Sequence, residues 1–435
     1  MDVFKPLAFL VRPSRLGAAT IVAHLLGTSA VLAAPPQPAP VAIQGWPAPP
    51  FQAWAGVETM WIRAEPRMAS HLAGLLHRGD VVTVTGCVPD CQSPKAWALL
   101  GTDGAVPLKP LKLLPLPPDA ARTSNQARYI YGRVPHPKTP VFAAPLAKAR
   151  KLRTEQAEFR LAFVSDPVLL AKGWLQRPDG GWMRAKDIVL FTPSTFSGAH
   201  DPLGPVVFVR HKVKLHSLDR KLDKTAVAVV YPRYTVLALQ GEKPGRVLVP
   251  GGWLPRNRVR IARVFARPHE VKPGDRWLHV DLTEQVLTAY DGDRPVFATL
   301  VSTGKTDRKA TQTHEGTFRI YARSVHSSMR GKPWDDYFAE EVPFTMHFDQ
   351  GRALHGAYWH DQFGIEKSHG CINLSLADAE WLFQWLPPKL PSGWSAILPQ
   401  AGKQPMVAVV VEKKGKPAPS SLTLARPLPG AVVAK

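Results

Sequence analysis

Between residues 60 and 114 the apolar runs of this chain are short and cut by turn residues: MWIRAEP, DVVTVTGCV, AWALLGTDG and AVPLKPLKLL follow one another. Alternation at this length and spacing predicts strands. The same punctuation continues along the chain, where 44 prolines break up a sequence that is still 45% hydrophobic and so able to bury ordinary cores. The prolines therefore separate folded modules. Two later stretches end alike, GWLQRPDGGWMRAKDIVLF (173–191) and GGWLPRNRVRIARVF (251–265), each with tryptophan, a polar turn and a basic β segment. Trp182 and Trp253 lie 71 residues apart, a spacing that suits successive small β modules of similar plan. The expected class is mainly β.

The chain divides by composition into seven parts. Residues 1–33 read as a secretory signal: Lys5, Arg12 and Arg15 are basic, Ala18 to Leu32 is mostly apolar, and Val31-Leu32-Ala33 offers a cleavage site. An uncleaved membrane anchor is the alternative. Residues 34–50 form a Pro-rich linker, followed by small β modules at 51–118, 125–195 and 203–265. The first, from MWIRAEP through GDVVTVTG to WALLGTDGAVPL, resembles a bacterial SH3-like domain. Such tandem small barrels are read either as wall-targeting or domain-positioning modules or as structural spacers.

A larger β-rich domain is expected at 267–400. Leu278, Val280 and Leu282 alternate with polar residues, and VLTAY, the turn DGDRP and VFATLVSTG complete a meander. The one long helix is expected at Ser375 to Leu386, where Ser375 caps, Asp378 faces the helix dipole, Ala379, Leu382, Phe383 and Leu386 share a face, and Pro387-Pro388 stop it. Residues 401–435 read as a Pro/Ala/Lys-rich tail with one β-like run, MVAVVVE.

Three cysteines fit an oxidising compartment with one left over. Cys87 and Cys91, in GCVPDC, are close enough to close a small disulfide ring, two reduced thiols being the alternative. Cys371 stands far away in LHGAYWHDQFGIEKSHGCINLS (354–375), which joins it to histidines in a glycine-punctuated, non-helical stretch. A thiol becomes a nucleophile only as thiolate, and a neighbouring imidazole supplies that by taking its proton. Gly370 leaves room for a carbonyl to approach, and amides around Cys371 could hold an oxyanion. Packing residues are one alternative. Zinc held by His347, His355, His360, His369 and Cys371 is another, but no HExxH or CxxC spacing supports it, and no metal or cofactor is expected.

These residues carry a resemblance. The stretch is similar to the catalytic motif of the L,D-transpeptidase (YkuD) family: His355-Gly356, a spacer, then Ser368-His369-Gly370-Cys371-Ile372-Asn373, with VSTGK (301–305) and THEGTFRI (313–320) upstream. The resemblance implies Cys371 as nucleophile and His355 as its base, oriented by the Gly356 carbonyl. It implies an oxyanion environment shaped by His369, Gly370 and Cys371, and a substrate cleft lined by Trp359, Asn373 and Ser368. Two departures are present: THEG stands where Thr-Pro-x-Gly is usual, and the spacer between His355 and Ser368 is short, at twelve residues.

The partners so implied are peptidoglycan stem peptides, joined by 3-3 cross-links, with carbapenems as inhibitors and with no nucleic acid and no obligate protein partner. An L,D-carboxypeptidase, a lipoprotein-anchoring enzyme and a non-enzymatic wall-binding protein stay open beside the transpeptidase. The location implied is the periplasm or cell envelope. A formal charge of +21 gives a surface that attracts anions, the carboxylate-rich cell wall among them.

Overall fold

The computed structural model of the chain describes residues 45–102, 104–126, 128–217, 229–331, 337–399 and 407–413. The expected signal, most of the linker and the end of the tail lie outside the described residues. The architecture is mainly β, with the helix Leu376–Trp385 the longest among the described residues.

Four of its hydrophobic cores mark the main parts. In the first module, Phe51–Ala55 lies between Val81–Val84 and Leu111–Leu113, facing a second sheet that includes the hairpin Thr59–Arg63/Leu72–His77. Ile62, Leu76, Val84 and Val106 fill the space between. Cys87 and Cys91 are joined by a disulfide at the rim, while Cys371 is free. The last linker residues are not loose: Trp46 stacks on Phe51 with ring centroids 5.5 Å apart. Leu161, Phe163 and Met183 centre the second module, and Val207, Val247 and Ile261 the third.

The fourth and largest core fills the C-terminal domain. Its first sheet runs Ala199–His200, Arg294–Leu300, Val286–Asp291, Arg276–Asp281, Ala408–Glu412, Gly316–Arg319. The meander expected from the alternating pattern is the middle of this sheet. Ala408–Glu412 corrects the expectation that a tail begins at 401. Val409 and Val411 face the main core while Ala408 and Val410 pack with Trp277 and Tyr290 on the other side. A strand buried on both faces needs an unbroken apolar run, and VAVVV is one. Opposite lie Ala322–Arg330, Phe338–Asp349, Arg352–Gly356 and Ile372–Leu374. The helix Leu376–Trp385 buries Ala379, Leu382 and Phe383 against them. Ser375 Oγ accepts from the Asp378 amide at 3.1 Å.

Strand pairing joins the first two modules to this domain, and side-chain packing joins the third. Leu72–His77 of the first pairs with Ala396–Ile397, which in turn pairs with Ala322–Arg330. The second meets it in one parallel pair, Arg160↔Ala339. There the Glu340 carboxylate accepts from the Ala162 amide (2.9 Å) and pairs with Arg177 (2.8 Å), and Tyr131 stacks on Tyr358 at 3.7 Å. The third packs Phe208 and Ala262 against Val286, Leu300 and Phe363. The modules that precede this domain in sequence are thus laid against it.

Candidate active site

Two adjacent strands bring the motif together. Arg352–Gly356 and Ile372–Leu374 pair in parallel with Leu354↔Ile372, His355↔Asn373 and Gly356↔Leu374 in register. Successive side chains alternate between faces, so Leu354, Ile372 and Leu374 enter the core while His355, Asn373 and the preceding Cys371 share the opposite face. Eighteen positions separate His355 from Asn373 in sequence, and the sheet cancels that separation.

The loop before Cys371 is held from several sides. Ser368 Oγ donates to the Cys371 carbonyl and accepts from the Gly370 amide at 3.0 Å. That amide is thereby committed to Ser368 and is not a free donor. The Gly370 φ of +117° favours glycine, and a Cβ there would lie 2.8 Å from Arg352 Nε. The VSTGK run lies alongside: Ser302 exchanges both backbone bonds with Asn373, and the Lys305 amide donates to the Ser368 carbonyl at 3.0 Å. Thr313 of THEG bridges the two, accepting from the Gly304 amide (2.8 Å) and donating to the Gly370 carbonyl (2.9 Å).

His355 is buried, and its Nδ1 lies 3.2 Å from the Gly356 carbonyl. A carbonyl only accepts, so Nδ1 carries the proton and Nε2 is left as an acceptor. Burial pushes the imidazole down to about 4, with His347 adding to the effect and the Gly356 bond opposing it. Burial also pushes the Cys371 thiol up, opposed by the Ala353 amide and the Arg352 charge. The pair thus rests as neutral imidazole and neutral thiol at pH 7.

Arg352 carried no motif signal, yet it sits against this site. Its Nε donates to the Gln312 carbonyl (3.0 Å), Nη1 lies 3.3 Å from the Asp349 carboxylate, and Nη2 is 2.9 Å from His314 Nε2. His314 Nδ1 reaches Asp349 at 2.8 Å. The histidine that makes THEG unusual therefore helps to hold an arginine beside Cys371.

The short spacer is clamped by the third module. Arg233 pairs with the Asp361 carboxylate (3.1 Å), the Tyr234 hydroxyl donates to the Asp361 carbonyl (3.0 Å), and Arg260 donates to the Gly364 carbonyl (2.9 Å). Asn373 Nδ2 lies 2.9 Å from His360 Nε2, while its Oδ1 is buried without a partner. Trp359 stands 5.6 Å from the His355 ring, and His369 5.4 Å from that of Tyr337, centroid to centroid.

These residues line a cleft of about 1420 Å³ with seven lysine and arginine side chains and two carboxylates, Glu341 and Asp361. Asp361 is paired with Arg233. Burial and the neighbouring Glu340 push the Glu341 carboxyl up to about 8, leaving it protonated at pH 7. The cleft is a cationic pocket around the Cys371 thiol and the His355 imidazole. Among the described residues no group of three or more His, Cys, Asp or Glu is placed to hold a metal ion.

Comparison with known proteins places this site in context. Residues 275–405 match the family model described as the L,D-transpeptidase catalytic domain, YkuD. YciB of Bacillus subtilis, a candidate L,D-transpeptidase, is 25% identical over 130 residues, which are 27% of this chain and 64% of that protein. An Enterococcus faecium L,D-transpeptidase variant matches at 21% identity and a TM-score of 0.26, covering 35% of this chain and 55% of that one. An L,D-transpeptidase solved in complex with imipenem matches at 19% identity and a TM-score of 0.26, covering 51% of this chain and 100% of that one. Residues 275–405 of the chain are a domain of the L,D-transpeptidase (YkuD) family.

Proposed function

We propose that the chain is a peptidoglycan L,D-transpeptidase that forms 3-3 cross-links through a thioester on Cys371. The observation that carries this reading is the His355 imidazole, neutral and fixed with Nδ1 on the Gly356 carbonyl, on the same sheet face as Cys371. Cys371 Sγ attacks the carbonyl at the L-centre of the third stem residue as its proton passes to His355 Nε2. The C–N bond to the terminal D-alanine breaks, and the departing amine takes that proton. An amine of a second stem then attacks the thioester, gives a proton to His355, and releases the thiol. His369 and the Gly370-Cys371 backbone surround the oxyanion, and Trp359, Asn373 and Ser368 border or support the cleft. No cofactor enters the scheme. Water in place of the second amine gives an L,D-carboxypeptidase, and a protein lysine gives an anchored lipoprotein.

The cationic cleft supports a carboxylate-bearing substrate. The leader-like residues 1–33 and the Cys87–Cys91 bond support work in the periplasm or cell envelope. A carbapenem is the probe of choice, since a relative binds imipenem. Intact-mass spectrometry should find one adduct, on Cys371, lost in Cys371→Ala. His355→Ala should slow its formation about 100-fold or more, and His369→Ala should slow it less. Release of D-alanine from tetrapeptide stems should follow the same order. An unmodified wild type with no activity on stems would favour a wall-binding protein, and a His369 variant worse than the His355 variant would move the base to His369.

A further inference from the structure

The catalytic cleft is not built by residues 275–405 alone. Arg160 opens the strand Arg160–Val164 of the second module and forms the single parallel pair with Ala339 described above. The Glu340–Arg177 and Tyr131–Tyr358 contacts hold that junction, so the position of Arg160 is fixed from both sides. Its guanidinium carbon lies 4.7 Å from the Tyr337 ring centroid and 5.3 Å from that of Trp359. Trp359 in turn is the ring beside His355. Among the described residues no carboxylate pairs with Arg160, although twelve of the described arginines have one. Aromatic faces hold a guanidinium in place by cation–π attraction while leaving its in-plane donors open, and those donors fit a carboxylate in a bidentate pair.

We propose that Arg160 is a substrate-binding residue that anchors a carboxylate of the donor stem peptide, so that the second module completes the active site. The inference rests on the transpeptidase reading above. Two carboxylates could occupy the anchor: that of the terminal D-alanine, close to the scissile carbonyl, or one further up the stem. A site built to bind a charge rejects the neutral analogue strongly, because the buried donors are then left unpaired.

The test uses the full chain with tetrapeptide donors carrying free carboxylates, a C-terminal amide, or an amide at the upstream carboxylate. Arg160→Gln should raise KM for the free donor by about 10- to 100-fold with little change in kcat, the size expected for loss of a charged hydrogen bond, and Arg160→Lys should recover part of it. Wild type should show the same rise on one of the amidated donors, and on that donor Arg160→Gln should cost nothing more. Iodoacetamide labelling of Cys371 and the melting temperature should match wild type. An unchanged KM in Arg160→Gln, or an equal loss on all three donors, would overturn the anchor. A wild type whose neutral thiol probe reacts while no stem is turned over would overturn the transpeptidase reading itself, and the anchor with it. Because the amidated donors also test wild type, a poorly folding variant would not hide the answer.

Discussion

Burial holds the His355 imidazole at about 4 and lifts the Cys371 thiol, which separates two ways of making a nucleophile. A preformed thiolate would react faster with each unit of pH up to the thiol value. A neutral thiol handing its proton to a neutral imidazole reacts at a steady rate wherever that imidazole is unprotonated. His355 loses its acceptor lone pair only as pH falls toward 4. The rate of carbapenem acylation at Cys371 should therefore be level from about pH 8 to pH 5 and fall below that. Stopped-flow acylation across this range decides it, and a fall centred near 6.5 would show a solvated histidine.

Arg352 is the neighbouring charge that partly opposes the thiol shift. Arg352→Met should push the thiol further up and slow iodoacetamide labelling at pH 8, up to about 10-fold if the arginine is worth one pKa unit. An unchanged labelling profile would remove it from the site. That His355, Ser368, Gly370 and Cys371 would come together was legible because one short stretch of sequence carries all four. Arg352 and Arg160 were not, since each acts through space from a strand where alternation says only which face a side chain takes.

Among the elements, the helix Leu376–Trp385 was readable from its cap and its proline stop, both local devices. Asp378 lies in the first turn as expected, and it is also buried, accepting from the Gly198 amide at 2.9 Å and from the Thr299 hydroxyl at 2.5 Å. Burial raises its carboxyl, and those donors oppose the rise. The strand Ala408–Glu412 was visible as a β-like run, but not its place, because its partner Arg276–Asp281 lies far upstream. A chain ended after residue 400 lacks a strand buried on both faces. It should fail to unfold cooperatively in urea, whereas a chain ended after residue 413 should behave as full length. Equal midpoints for the two would make the strand dispensable.

At the scale of the whole molecule, three modules touch the catalytic domain at three different places, and each contact ends near the cleft. Strand patterns could reveal modules but not their docking, since the second joins through one residue pair and a buried carboxylate. Glu340 is the element of that junction easiest to remove. Glu340→Ala leaves the nearly buried Arg177 without its closest partner and should cost about 3–5 kcal/mol, as for other broken buried pairs. Glu340→Gln, which keeps an acceptor for the Ala162 amide, should cost less. Urea unfolding of the two variants against wild type measures both, and equal stability of all three would mean that the second module is held elsewhere.

The placement of Ala408–Glu412 between Arg276–Asp281 and Gly316–Arg319 also sets an order of events during synthesis. A growing chain presents the three modules first, although the core of the first is closed only by Trp394, about three hundred residues downstream. The sheet cannot hold its edge strand Gly316–Arg319 until Ala408–Glu412 has emerged, and pairings between distant segments form late. Until then Cys371 and His355 have no finished scaffold. On the function proposed above, a nascent chain that has not yet made Ala408–Glu412 therefore carries its thiol unarmed.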